Sequence, residues 1–468
     1  MQQYLTENII QNLGHPPTQD QLNAITKLAV FCSPGNQQQV FILKGYAGTG
    51  KTSLISALVK SLPTVKLKSA LLAPTGRAAK VLSSYSDKPA LTIHKRIYKR
   101  AVDDFGNTSF ILQANFHTHT IFIVDEASMI SASGSLMNNS NLLRDLMDYV
   151  FSGITCKLIF IGDTAQLPPV GLSVSPALDE SHFEEFFRIR PAGIELREVV
   201  RQTLDSGIYF NATKIRDLIR NQVNQQPQFL TDAFPDIRHI TGADLEDEVN
   251  SAYGKYGEDE TIVICRSNKR ANLFNQQIRH RIRFTENEIN AGDYMMVVKN
   301  NYMWLKEESK AGFIANGEII ELQKITKVYE RYGFKFADVR MRMVDHDDPP
   351  MDVKLLLDTI MIEAPALSQA QNMHLYKSVV ADHEGIEDKK KKQLSIKNDP
   401  HLNALQVKFA YAVTCHKAQG GQWDVVFIDQ GYLTDQMINE EYMRWLYTAI
   451  TRAKKKLFLL NFKGAGVQ

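Results

Sequence analysis

The chain has 468 residues, more than one hydrophobic core usually organises, so we expect more than one domain. A hydrophobic share of 44% and a charged share of 23% are ordinary for a globular protein and exclude a largely disordered chain. The formal net charge is only +2, so binding of nucleic acid would require a local basic surface rather than an overall positive charge.

The cysteines stand far apart in the sequence, at Cys32, Cys156, Cys265 and Cys415. None belongs to a CxxC pair, which excludes a zinc ribbon and a disulfide framework and predicts buried thiols in a reducing compartment. The N-terminus lacks the pattern of a signal peptide, and no stretch approaches the roughly 18 apolar residues of a membrane span. We therefore expect a cytoplasmic protein without a membrane partner.

Short apolar runs predict the buried strands of parallel sheets. The first group lies at 40–44, 120–124 and 157–161, and the second at 261–265, 424–428 and 456–460. Each run of the first group ends in a polar loop, and parallel α/β sheets bind their ligands beyond the carboxyl ends of the strands. The sequence therefore predicts an α/β protein with two cores in succession.

Two stretches interrupt these cores. Residues 95–119 contain the turn-forming segment DDFGNT between apolar flanks, which predicts a hairpin. Residues 316–405 begin with alternating β-like patterns and continue into charge-rich sequence, which predicts a small inserted β domain. The expected domains are thus a first core at 1–195, and a second core at 196–315 and 406–468 that holds the insertion.

Residues 45–52, GYAGTGKT, fit the phosphate-binding pattern GxxxxGK[ST] between an apolar run and the predicted helix SLISALVK. Glycines leave backbone N–H groups open to phosphates, Lys51 balances their charge, and the hydroxyl of Thr52 is suited to Mg²⁺. Upstream, Gln21 offers an amide for the adenine edge, although a helix start capped by Thr18 also explains that segment. The predicted nucleotide-binding residues are Gln21, Gly45, Gly48, Thr49, Gly50, Lys51, Thr52 and Ser53.

A carboxylate pair follows the second predicted strand, in IFIVDEASMI. Asp125 is predicted to bind Mg²⁺ and Glu126 to activate water, while Asp163 and Gln166 beyond the next strand are placed to sense the γ-phosphate. Beside the phosphate-binding loop, the pair favours ATP hydrolysis over passive nucleotide binding. A GTP switch is disfavoured, because residues 268–271, NKRA, lack the carboxylate of a guanine-reading motif.

The order of these and further motifs resembles superfamily 1 helicases, and most closely the 5′-to-3′ branch with RecD-like and Dda-like enzymes. The resemblance covers nearly the whole chain. Its further motifs are APTGRAAKVL at 73–82, TIH at 92–94, GDTAQLPPVG at 162–171, LREVVRQ at 196–202, GDYMMVVKNNY at 292–302, NGE at 316–318, AVTCHKAQG at 412–420 and WLYTAITRAK at 445–454.

The resemblance implies two RecA-like cores with ATP and Mg²⁺ between them. It implies that Arg201 and Arg452 reach the transferred phosphate, so that the expected catalytic residues are Lys51, Glu126, Gln166, Arg201 and Arg452. It also implies a set of contacts to the nucleic-acid backbone, which carry no base specificity. These are Thr75, Arg77, Thr92, His94, Asn301, Thr414, His416 and Lys417.

The family further implies that the hairpin at 95–119 separates strands, with Phe105 or Phe110 stacking on the splitting base pair. It implies that the insertion at 316–405 is SH3-like. Basic residues between the motifs that are expected to line the nucleic acid predict a local positive groove, and they are Arg77, Lys80, Lys95, Arg96, Lys99 and Arg100. One departure is Gln422, which stands where many relatives carry an acidic residue near the ribose.

We therefore expect an ATP-dependent DNA helicase that moves 5′ to 3′, with single-stranded and fork DNA as partners, together with replication or repair proteins, and a monomeric state. Two alternatives remain open at this stage, an RNA helicase of the same superfamily and a nucleotide-gated adaptor without unwinding activity. A fused nuclease is disfavoured, because the acidic cluster at 345–354 lacks a strand context.

Overall fold

The structure, a computed structural model, describes residues 1–36, 39–102, 108–131, 141–200, 205–305, 313–346 and 348–462, with backbone only at 100–102 and 108–110. The helices are α1 (Gln2–Leu13), α2 (Gln19–Cys32), α3 (Lys51–Ser61), α4 (Gly76–Ser86), α5 (Ile93–Ile97), α6 (Leu142–Phe151), α7 (Glu180–His182), α8 (Gly207–Arg220), α9 (Leu245–Tyr256), α10 (Asn268–Gln277), α11 (Gln369–Asp382), α12 (Lys389–Lys397), α13 (Cys415–Ala418) and α14 (Glu440–Ile450).

The strands up to the end of the first core are β1 (Val40–Gly45), β2 (Lys68–Ala73), β3 (Ala90–Thr92), β4 (Tyr98–Val102), β5 (Thr108–Leu112), β6 (Thr120–Val124), β7 (Lys157–Gly162) and β8 (Ala192–Leu196). Those that follow are β9 (Ile237–Ile240), β10 (Thr261–Cys265), β11 (Tyr294–Val297), β12 (Ile319–Arg331), β13 (Phe334–Met343), β14 (Met351–Leu356), β15 (Leu405–Phe409), β16 (Ala412–Thr414), β17 (Trp423–Asp429) and β18 (Ala453–Leu460).

The first sheet is parallel, in the order β3-β2-β6-β7-β1-β8. Phe41 and Leu43 of β1 pack on one face with Leu58 of α3, whereas Ile42 packs on the other face with Leu146 of α6. Because both faces are covered, the strand is a continuous apolar run rather than an alternating one. The carboxyl ends of β1, β6 and β7 therefore meet at one edge of this sheet.

The second sheet is also parallel, in the order β16-β10-β17-β18-β9. The apolar runs that the sequence marked as strands lie within β1, β6, β7, β10, β17 and β18. The prediction of an α/β protein with two parallel-sheet cores is thereby confirmed.

A closed barrel is formed by β11, β12, β13, β14 and β15. Its pairs are antiparallel except β14 with β15, which run parallel from Leu355 opposite Leu405. Strands β12 to β14 lie inside the predicted insertion at 316–405, and β11 and all but the first residue of β15 lie outside it. The domain boundaries and the SH3-like assignment stay predictions.

Strands β4 and β5 pair antiparallel within the predicted hairpin region, from Tyr98 opposite Leu112 to Val102 opposite Thr108. The backbone of Phe110 lies opposite Arg100 in this pair. Phe105 lies outside the described residues, so its strand-separating role stays a prediction.

All four cysteines fall in the described part of the chain, where they are free and, as predicted, buried. The reducing compartment stays a prediction. Among the helices within the described ranges, none combines the length and apolar character needed to cross a membrane.

Candidate nucleotide and nucleic-acid site

The phosphate-binding loop joins the end of β1 to the start of α3. Gly48 and Gly50 adopt φ values of 78° and 79°, in the left-handed region that favours glycine. A Cβ on Gly50 would lie 2.4 Å from Nε2 of Gln21, so no larger residue fits there without displacement. The loop thus brings backbone N–H groups to the N-terminus of a helix, where anions bind.

Side chains of the loop itself stabilise this shape. Nζ of Lys51 donates to the carbonyl oxygens of Gly45 at 2.7 Å and Tyr46 at 2.9 Å. The buried hydroxyl of Thr49 also donates to the carbonyl of Tyr46, at 2.7 Å. Lys51 therefore lies over the same turn of backbone that would surround a phosphate.

Gln21 is fully buried and holds the start of α2 against this loop. Its Oε1 accepts from the N–H of Thr18 at 3.0 Å, and Thr18 caps the helix in return. Its Nε2 donates to the carbonyl of Thr49 at 3.1 Å. The helix-start reading of this residue is therefore observed, while contact with adenine stays a prediction.

Asp125 and Glu126 follow β6 at the same edge of the sheet. Burial, with the charge of Glu126 as the second cause, raises the pKa of Asp125 to about 6. The N–H of Glu126 donates to Oδ1 of Asp125 at 2.9 Å, and this hydrogen bond opposes the rise in the pKa of Asp125. Oε1 of Glu126 lies 3.7 Å from a guanidinium nitrogen of Arg452 on the second core.

Arg452 is almost fully buried, with 2% of its surface exposed. Its guanidinium donates to the carbonyl oxygens of Thr448 at 3.0 Å and Gly421 at 3.3 Å. These bonds aim the cation across the gap between the cores. Arg201, the other predicted catalytic arginine, lies outside the described residues.

These groups line one cleft of about 490 Å³ between the two cores, within the size range of small-molecule sites. Oε1 of Gln166 is buried there without a hydrogen-bond partner in the described structure. Thr52 and Asp125 bring a hydroxyl and a carboxylate into the cleft, the oxygen donors that Mg²⁺ prefers. The cleft is lined by Gly48, Gly50, Lys51, Thr52, Ser53, Asp125, Glu126, Asp163, Gln166, Gln422, Arg452 and neighbouring residues.

Two residues of the first core that are predicted to contact single-stranded nucleic acid, Thr75 and Thr92, cap the N-termini of α4 and α5. Thr75 accepts from the N–H of Ala78 at 3.2 Å, and Thr92 accepts from the N–H of Lys95 at 3.2 Å. The ring of His94 lies 5.7 Å from that of Tyr98, and burial lowers the pKa of His94. At neutral pH this histidine is therefore a neutral hydrogen-bonding group.

The side chain of Arg77 on the first core contacts two residues of the second core. It donates to the carbonyl oxygen of Gln422 at 3.0 Å, and its guanidinium lies 4.1 Å from the ring centroid of Trp423. Gln422 also lines the nucleotide cleft. Arg77, a predicted contact to single-stranded nucleic acid, is therefore bonded directly to a residue of that cleft.

Asn301 is nearly buried, and its amide is used within the protein. Nδ2 donates to the carbonyl of Asn403 at 2.8 Å, and Oδ1 accepts from the N–H of Met303 at 3.0 Å. These bonds fix the segment after β11, and a direct strand contact by Asn301 stays a prediction.

In the second core, Thr414 ends β16 and His416 and Lys417 lie on α13. Burial, with the charge of Lys408 as the second cause, lowers the pKa of Lys417 to about 8. Burial alone lowers the pKa of Lys408 to about 8. Sequence reasoning missed Lys408, although one lysine in the apolar run LQVKF is a signal that could have found it.

Family models match two parts of the chain. The model of an AAA domain matches residues 17–224, and that of a UvrD-like helicase C-terminal domain matches residues 409–460. The RecBCD enzyme subunit RecD of Buchnera aphidicola is 22% identical, over 97% of this chain and 75% of its own length. These matches confirm the resemblance of the chain to superfamily 1 helicases.

Other similar proteins span the same length. An uncharacterized protein of Acanthamoeba polyphaga mimivirus is 24% identical, over 94% of this chain and 98% of its own length. A Pif1 helicase from Bacteroides, crystallised with ADP-AlF3 and single-stranded DNA, aligns with 96% of this chain and 93% of its own, at 15% identity and a TM-score of 0.48.

Proposed function

We propose that this superfamily 1 protein is an ATP-dependent DNA helicase that moves 5′ to 3′ on single-stranded DNA and unwinds duplex DNA. The observation that carries the proposal is the cleft in which Lys51 and Glu126 of the first core face Arg452 of the second. A site completed by two cores links the bound nucleotide to their relative position.

In this proposal the triphosphate of ATP lies on the loop N–H groups, and Lys51 balances its charge. Mg²⁺ would be held by Thr52 and Asp125, and it supplies neutralisation of the phosphate oxygens. Glu126 accepts a proton from the attacking water, while Gln166 orients that water. Arg452 stabilises the charge that develops on the transferred phosphate.

The proposed strand contacts come from both cores, with Thr75, Thr92 and His94 on one side and His416 and Lys417 on the other. Hydroxyl, imidazole and ammonium groups suit phosphate oxygens and read no sequence, as a motor that moves along any strand requires. Closure of the cores on ATP and reopening after hydrolysis would then move one group of contacts past the other.

Single-stranded and fork DNA are the proposed partners, with a phenylalanine of the hairpin region at the strand junction. Replication or repair proteins as further partners, a monomeric state and a cytoplasmic location belong to the same proposal.

ATP turnover with and without oligonucleotides tests the proposal. We expect single-stranded DNA to stimulate turnover at least about tenfold and RNA to stimulate it less. Lys51→Ala should lower stimulated turnover about a hundredfold or more, because the charge of the transferred phosphate loses its nearest cation. The control is Lys389→Ala, on the exposed face of α12, which should behave as wild type.

Two results would contradict the proposal. Strand-stimulated turnover that survives in Lys51→Ala would remove the assigned site. Equal wild-type turnover with and without a strand would instead favour a nucleotide-gated adaptor.

A further inference from the structure

The hydroxyl of Tyr447 lies where three distant segments meet. The N–H of Ala47 in the phosphate-binding loop donates to this hydroxyl at 2.8 Å. The hydroxyl in turn donates to Oδ2 of Asp163 at 2.6 Å. One group on α14 of the second core therefore bridges the loop after β1 and the loop after β7.

This bridge is dry. Tyr447 and Asp163 are each 1% exposed, so neither the phenol nor the carboxylate has water as an alternative partner. Burial, with the charge of Asp163 as the second cause, raises the pKa of Tyr447 well above its ordinary value. The hydroxyl therefore stays protonated and donates to the carboxylate, and its removal would leave two polar groups in a buried site without their partner.

The segment after Asp163 is attached to the second core at further points. The N–H of Leu167 donates to Oγ1 of Thr448 at 2.9 Å, and Nε2 of Gln419 donates to the carbonyl of Leu167 at 2.7 Å. A guanidinium nitrogen of Arg444 donates to the carbonyl of Thr164. The segment that carries Gln166 is therefore held by the second core as well as by the first.

The same helix holds Arg452, whose Nε donates to the carbonyl of Thr448 one residue after Tyr447. The hydroxyl of Tyr447 thus gives the phosphate-binding loop at Ala47 a hydrogen-bonded connection to the helix that positions Arg452 and to the loop that carries Gln166. A phenylalanine at this place would fill nearly the same volume but would form neither hydrogen bond.

We propose that Tyr447 is a positioning residue that couples the state of the phosphate-binding loop to the placement of Gln166 and Arg452. The inference rests on the proposed ATP-driven function and adds to it the group that connects the loop to the opposite core.

Steady-state ATP turnover in the presence of saturating single-stranded DNA tests this role. Tyr447→Phe should lower kcat about tenfold or more, while KM for ATP changes by less than about twofold, because an interaction that positions catalytic groups contributes in the transition state. The matched control is Tyr442→Phe on the same helix, whose hydroxyl accepts from Nε2 of Gln430 of the second core at 3.4 Å. It should keep wild-type kcat.

A double-variant cycle separates this role from a merely structural one. The effect of Tyr447→Phe on kcat should largely vanish in an Asp163→Ala background, because either change breaks the connection from Ala47 to residue 163. Thermal unfolding midpoints of all variants should lie well above the assay temperature. Additive losses in kcat, or a loss confined to KM, would overturn the inference.

The failure of the inference differs from that of the proposed function. Wild-type protein without strand-stimulated turnover would overturn both. Stimulated wild type with an unchanged Tyr447→Phe variant would overturn only the role of Tyr447.

Discussion

Lys417, a proposed strand contact of the second core, and Lys408 on the barrel strand β15 both lie in poorly solvated places. The pKa of Lys417 is lowered to about 8 by burial and by the charge of Lys408. A phosphate favours the charged ammonium, so its binding raises this pKa. The affinity for single-stranded DNA should therefore be greatest below pH 8 and fall as the pH rises through about 8, where free Lys417 loses its proton.

Fluorescence anisotropy with a labelled oligonucleotide between about pH 7 and pH 9.5 measures this dependence. In Lys417→Arg the decline should be shallower, because a guanidinium keeps its charge over the whole range. An equally steep decline in this variant would mean that Lys417 does not contact the strand.

At the scale of elements, the turn between β1 and α3 depends on Gly50. Alanine at this position would meet Nε2 of Gln21 at 2.4 Å in a backbone conformation with φ 79°. Gly50→Ala should lower the free energy of unfolding by about 1 to 3 kcal/mol. It should also weaken ATP binding, since Gln21 must move away from the loop.

Urea unfolding followed by circular dichroism measures this change. The control is Gly254→Ala in the exposed part of α9, where a Cβ would meet nothing within 4 Å. That variant should gain about 0.5 to 1 kcal/mol, because alanine is the better helix former. Equal effects of the two substitutions would contradict the role of Gly50.

The central strands could be predicted from sequence because parallel strands covered on both faces are continuous apolar runs. The runs at 120–124 and 261–265 coincide with β6 and β10 residue for residue. Strands at the edge of a sheet are harder to predict from sequence. Four of the five residues of β8 are only partly buried, so the strand has no apolar run to mark it.

The long-range pairings could not be predicted. The barrel combines β11 with β15, whose partners Met295 and Phe409 are far apart in sequence. The bridge at Tyr447 joins residues 400 positions apart, from Ala47 to Tyr447. Periodicity is a local signal, and such contacts depend on the register of whole elements.

Within the site, the sequence identified the glycine loop and its carboxylates because their chemistry requires particular residue types at short spacing. It did not reveal that Arg77 contacts Trp423, or that Asn301 uses its amide inside the protein. Both depend on how the cores and the barrel pack, which no motif encodes.

At the scale of the whole molecule, the nucleotide cleft and the proposed strand track lie on the same pair of cores. Arg452 reaches Glu126 from the second core, and Arg77 reaches Gln422 from the first. Closure over ATP would therefore change the spacing of the strand contacts, which is the physical basis of directed movement in this account.

Unwinding of fork substrates with a single 5′ or 3′ tail tests this account most directly. We expect ATP-dependent separation of the substrate with a 5′ tail, little separation of the one with a 3′ tail, and none by Lys51→Ala. Separation only from the 3′ tail would contradict the direction, and stimulated ATP turnover without separation of either substrate would contradict the helicase itself.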